Sequence, residues 1–124
     1  IRTLPNLSSK RSRDYAAEPD YPVLGPDSMQ FLASSGLRHL LLDTPSLDAA
    51  DNATLANHRV WWGLEGADHD LRSTDRSRSL TEMIFAPDEL ADGDYWLELQ
   101  LSALQSDATP SRPLLYPVEF LDRD

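Results

Sequence analysis

The sequence predicts an α/β fold, and three observations carry that expectation. Residues 26–43 read as a helix, a tight turn and a buried strand, the unit from which α/β layers are built. Residues 80–85, 95–101 and 114–120 are short runs with the alternation or apolar density of strands, separated by turn-rich segments. The length of 124 residues suits one domain or part of one, and 40% hydrophobic with 26% charged residues is an ordinary globular composition.

Each element has a local reason. Residues 1–4 have the look of a strand end. Residues 5–24 carry Pro5, Pro19 and Pro22 and read as a long loop, a type that is commonly functional or disordered. Its Lys10-Arg11-Ser12-Arg13 is either a solvated basic patch or a lid whose arginine meets an acidic substrate. Over residues 26–35, Pro26 sits near the first turn, Asp27 favours the positive end of the helix dipole, and Met29, Leu32 and Ala33 share a face. Gly36 suits the stop position, and residues 37–43 then read as a buried strand. Asp51 or Asn52 is a candidate cap for a short helix with Leu55, His58 and Trp62 on one face. Residues 63–79 are dense in Asp, Arg and Ser without apolar period and read as a polar insertion. Residues 87–94 read as a turn, with one helical turn as the alternative.

Composition excludes several classes of function. The formal charge of −10 argues against nucleic acid, because phosphate binding needs a basic footprint. With no cysteine there is no disulfide framework, thiolate zinc site or cysteine nucleophile, and the cytoplasm is the expected compartment. No apolar run approaches the roughly 20 residues that span a bilayer, so no membrane partner is expected. The chain opens at Ile1 rather than Met, which reads as the C-terminal part of a longer protein. No Gly-rich phosphate loop or Gly-x-Ser-x-Gly elbow is present, and Ser46 has no evident base beside it.

The residues that point to chemistry are His58 and Glu82, framed by polar turns at 43–48 and 107–112. His58 precedes Trp61 and Trp62 and so projects from an apolar wall; alone, a histidine is more often structural. Glu82 lies within Leu80-Thr81-Glu82-Met83-Ile84-Phe85, whose neighbours favour burial. A buried carboxylate must be paired or bound to metal, the alternative being an exposed edge or an arginine partner. Imidazole with carboxylate suits zinc, manganese or iron at a hydrolytic centre, yet two ligands are too few for a catalytic metal. Asp43 is a candidate to orient a ligand or simply turn chemistry, and Asp107 has the same ambiguity. Trp61 and Trp62 are candidates for an aromatic-substrate pocket or for the core. His39 and His69 read as structural or exposed.

Four segments in order, Asp43-Thr44-Pro45-Ser46-Leu47-Asp48, Leu55-Ala56-Asn57-His58, Thr81-Glu82 and the run from Asp107-Ala108-Thr109-Pro110-Ser111-Arg112 to Leu115, resemble the C-terminal half of the cyclase family. That family includes the bacterial kynurenine formamidases, and the resemblance covers nearly the whole chain. It implies a swivelling β/β/α-type domain with mixed sheet, of which residues 1–124 would be the C-terminal portion. It also implies a divalent-metal hydrolase, with zinc the usual ion and manganese the alternative, acting on a small-molecule formyl amide, cyclic amide or lactone. On this resemblance His58 and Glu82 are both metal ligands and catalytic residues. The family's remaining ligands lie in an upstream His-x-Gly-Thr-His-x-Asp motif that this chain does not contain. The resemblance therefore implies a site completed by an upstream segment, a fragment inactive by itself, and a homo-oligomer. The spacing from His58 to Glu82 is wider than in the formamidases, and the insertion at 63–79 accounts for it. The competing expectation is a non-catalytic binding or structural domain that keeps the fold.

Overall fold

The computed structural model describes residues 1–64 and 71–118. They are mixed α and β, with one parallel and one antiparallel strand pair, as the α/β expectation requires. The chain divides into two compact units, 1–87 and 88–124.

The first unit opens irregularly. Residues 5–24 contain a single short 3-10 helix, Ser8–Ser12. Helix α1, Pro26–Ser34, starts on proline at its first turn and stops where Gly36 takes a left-handed φ of 82°, a conformation that costs glycine nothing. Its Met29 is fully buried. Strand β1 is Arg38's neighbour His39 through Leu41, shorter than the expected 37–43. It pairs in parallel with β2, Ser79–Thr81, placing Leu40 beside Leu80. Between them lies helix α2, Ala56–Trp62.

Strand β2 also ends earlier than its apolar run suggests, and the cause is local. Met83 adopts a left-handed φ of 58°, so its amide turns to the Thr44 carbonyl (3.0 Å) while Ile84 reaches back to the Leu42 carbonyl (3.1 Å). The ladder breaks there, and Glu82 leaves the strand for the turn beyond β1.

Helix α2 departs from expectation at its start. Neither Asp51 nor Asn52 caps it; the residue before it is Leu55, left-handed at φ 51° and exposed rather than on the buried face. The core of this unit is Met29, Leu40, Leu42, Leu47 and Trp61, with Leu24, Leu32, Val60, Trp62 and Leu80 packed around it. Full burial of such side chains stabilises by about 1.5–3 kcal/mol each. The polar insertion at 63–79 falls partly outside the described residues; its described end holds the turn at Asp75–Arg78. No helix among the described residues is long and apolar enough to cross a membrane.

The second unit is an antiparallel hairpin of β3, Tyr95–Leu101, and β4, Ser111–Pro117. β4 begins three residues before the expected 114, and the end of that expected strand, 119–120, lies outside the described residues. Residues 87–94 form turns without a helix. The register sets Tyr95, Leu97, Leu99 and Leu101 opposite Pro117, Leu115, Pro113 and Ser111, an almost wholly apolar face. The other face is polar in part, with the Tyr116 hydroxyl donating to Glu98 (3.1 Å). Ser102 N–H donates to the Pro110 carbonyl (3.2 Å), so the even-numbered pairs are the bonded ones. Pro113 and Pro117 therefore turn their nitrogens away from β3, the position where a strand tolerates proline.

Candidate functional site

The site is built on the turn that follows β1. Asp43, Thr44, Leu47 and Asp48 are all buried there. The turn closes on itself: Thr44 Oγ1 donates to the Ser46 carbonyl (3.0 Å) and Asp48 N–H to Ser46 Oγ (3.2 Å). Leu47 then donates its amide to Glu82 Oε1 (3.0 Å), which fixes that carboxylate over the turn.

Asp48 reaches from the turn to the start of α2. Its Oδ1 accepts from the Asn57 amide (2.8 Å) and Asn52 Nδ2 (3.0 Å), its Oδ2 from the His58 amide (3.0 Å). Oδ2 also lies 2.7 Å from His58 Nδ1. On the other side of the imidazole, Nε2 is 3.4 Å from Glu82 Oε1. His58 thus stands between two carboxylates. The Asp48 side chain is 1% exposed, whereas His58 and Glu82 are 22% and 28% exposed, so only the latter two are within reach of a ligand. The long loop buttresses this arrangement: Tyr21 Oη donates to the Asp48 carbonyl (2.9 Å), and Asn57 Nδ2 to the carbonyls of Leu24 and Leu47 (2.9 Å each).

The electrostatics follow from these contacts. The Glu82 carboxylate raises the His58 pKa above its ordinary value; burial opposes this and Asp48 adds to it. For Asp48, burial pushes the pKa up, but the hydrogen bonds from Asn57 and His58 outweigh it and leave the carboxyl below its usual range.

A divalent ion fits the chemistry of this donor pair. Nδ1 is taken by Asp48, and Nε2 and a carboxylate oxygen converge from the exposed side, a combination common for zinc and manganese. Among the described residues no group of three or more His, Asp or Glu side chains is suited to hold a metal. His58 and Glu82 are thus a donor pair, one short of the three protein ligands of a catalytic zinc.

The other expected residues are distributed as follows. Asp43 directs its carboxylate to the Thr3 amide (2.9 Å), Thr3 Oγ1 (3.0 Å) and Lys10 Nζ (2.8 Å), not to His58 or Glu82. Lys10 of the basic run is thereby engaged inside the chain. Arg13 pairs with Glu18 (3.2 Å), and Arg11 lies over the Phe85 ring at 5.5 Å. Trp61 is fully buried in the core, and Trp62 is half-buried against it. Asp107 bonds Ser106 Oγ and the Ala108 amide, which is turn chemistry. His39 Nδ1 lies 2.8 Å from Ser79 Oγ, and His69 lies outside the described residues. Asp48 is the residue that sequence reasoning passed over. The available signal was its place at the end of a buried turn, one residue before the polar stretch that leads to His58.

Comparison with known proteins agrees with the motifs. The chain is 32% identical over 97 residues to a kynurenine formamidase of Bordetella pertussis, which covers 77% of this chain and 40% of that protein. It is 33% identical over 117 residues to the kynurenine formamidase of Bordetella petrii, covering 90% and 50%. It is also 33% identical over 98 residues to that of Bacillus anthracis, covering 78% and 41%. No family model matches the chain, and no solved structure matches it significantly. These similarities show a cyclase-family relationship. Within it, the chain is kynurenine formamidase-like, and it spans 40–50% of the length of these relatives.

Proposed function

We propose that the whole protein is a metal-dependent hydrolase of the kynurenine formamidase type. It would open the formyl amide of an aromatic amino-acid derivative, or a related cyclic amide or lactone. The observation that carries this reading is the convergence of His58 Nε2 and Glu82 Oε1, 3.4 Å apart, with Nδ1 already held by Asp48. The relatives named kynurenine formamidase supply the substrate class.

His58 and Glu82 would hold the ion, zinc by preference and manganese as the alternative, together with ligands from a segment outside this chain. When bound, such an ion acidifies water and polarises a carbonyl. The chain's own residues contribute the rest. The Leu47 amide keeps one oxygen of Glu82 turned towards the imidazole. Whichever of His58 and Glu82 does not ligate the ion is the group placed to take up or return a proton as the amide opens. Trp62 is the half-buried aromatic nearest in sequence to His58 and is assigned to the pocket wall, with Trp61 left to the core. A cytoplasmic homo-oligomer completes the reading.

The test is His58→Ala and, separately, Glu82→Ala in the full-length protein. Bound divalent metal per subunit and hydrolysis of N-formylkynurenine are measured for each. Loss of both properties is expected. A variant that keeps its metal and its activity would remove that residue from the site.

A further inference from the structure

We propose that Asp48 is a positioning residue that dictates which nitrogen His58 presents, and through it the affinity of the site for a cation. Three fixed donors converge on its carboxylate, two backbone amides and Asn52 Nδ2, and the imidazole Nδ1 lies 2.7 Å from Oδ2. An ionised carboxylate only accepts, and the position facing the ring is an acceptor site that only a donor can fill. A backbone N–H can only donate, so the carboxylate has no freedom to become a donor towards the ring. A neutral His58 must then carry its proton on Nδ1, with the lone pair on Nε2.

That choice has a consequence on the other side of the ring. Nε2 and Glu82 Oε1 then face one another at 3.4 Å as two acceptors, which repel unless a positive charge lies between them or on the ring. Leu47 N–H, adjacent to Asp48 in the chain, prevents Glu82 from turning freely away. One dipeptide thus aims both side chains. In the opposite tautomer Nε2–H would simply donate to Glu82, and the pair would be satisfied without a cation. Asp48 is what separates these two outcomes. Its 1% exposed side chain never meets the ligand, so it acts only through His58. The affinity part of this inference rests on the metal-hydrolase reading, whereas the tautomer part rests on hydrogen bonding alone.

The experiment uses the metal-free full-length protein labelled with 15N-histidine. It is compared with Asp48→Asn by NMR at a pH high enough for the imidazole to be neutral. Zinc affinity is measured in parallel by competition with a chelator, and far-UV circular dichroism follows the fold. The wild-type ring is expected to be protonated on Nδ1. Asp48→Asn should lose that preference, and its zinc affinity should fall by about 10–100-fold, the usual effect of removing a carboxylate behind a ligating histidine. A wild-type ring protonated on Nε2 overturns the proposal. So does a folded Asp48→Asn protein with unchanged tautomer and affinity. If Asp48→Asn does not fold, the wild-type spectrum decides alone. If the wild type binds no zinc, the hydrolase reading fails, and the tautomer still decides the role of Asp48.

Discussion

Asp43 and Asp48 sit five positions apart on one turn, both shut away from water, and each is matched with donors in a different way. Asp48 is served by neutral amides and the imidazole, Asp43 by a lysine and a threonine from the N-terminal segment. Burial alone would raise the Asp43 pKa, but the bonds from Lys10 and Thr3 hold it below the ordinary 3.8. A folded-state value below the unfolded one means that the unfolded chain binds more protons in between. The stabilisation is therefore present above pH 3.8 and is lost as pH falls through the lower folded value. Asp43→Asn should lower stability at neutral pH and flatten the acid limb of a plot of urea midpoint against pH. An unchanged slope would show that the Lys10 contact contributes nothing. At this scale motif resemblance singled out His58 and Glu82, because their types and order are local text, and the structure brings the two within 3.4 Å. It did not disclose Asp48 as the partner of His58. That contact depends on a left-handed Leu55 that brings the start of α2 back over the turn, and nothing in Leu55 itself announces such a conformation.

Among the elements, two positions carry strain and one carries a clamp. Leu55 and Met83 are the non-glycine residues with positive φ among those described, and they flank the two candidate ligands. Left-handed backbone costs an L-residue about 1–2 kcal/mol, and it persists only where the surroundings impose it. Met83→Gly should raise stability by about 1 kcal/mol in chemical denaturation, since the native φ is free for glycine. The same change should weaken metal binding by the full-length protein, because Glu82 loses a rigid neighbour. The clamp is Arg78, which donates to the carbonyls of Trp61 (2.8 Å) and Ala33 (2.9 Å) and lies 5.0 Å over the Trp61 ring. It ties the C-terminal ends of α1 and α2 together. Hydrogen bonds from a charged group contribute about 1.5–3 kcal/mol, so Arg78→Ala should cost about 2–4 kcal/mol by the same measurement. Helix α1 and strand β3 were legible because proline, glycine and an alternation broken only at Trp96 mark them locally. The presence of β1 and β2 was legible too, but not their short extent, because a parallel pair is set by distant partners and here by the backbone of Met83.

For the molecule as a whole, the proposed metal reading turns on the number of ligands. A catalytic zinc is held by three protein ligands, and among the described residues His58 and Glu82 are the candidate pair. Titration calorimetry of the 124-residue chain should accordingly show far weaker zinc binding than the full-length protein. Equal affinities would mean that the chain holds a complete site. The hairpin unit adds a separate constraint. Its apolar face includes Leu101 and Leu115, 62% and 44% exposed. Such a ribbon would normally invite sideways growth of the sheet. Along β4, however, every second outward amide is missing at Pro113 and Pro117. Recruitment of a further strand is consequently one-handed: only the β3 flank has a full row of donors and acceptors to offer. Sideways growth at the β4 rim is thus hindered by two imino acids.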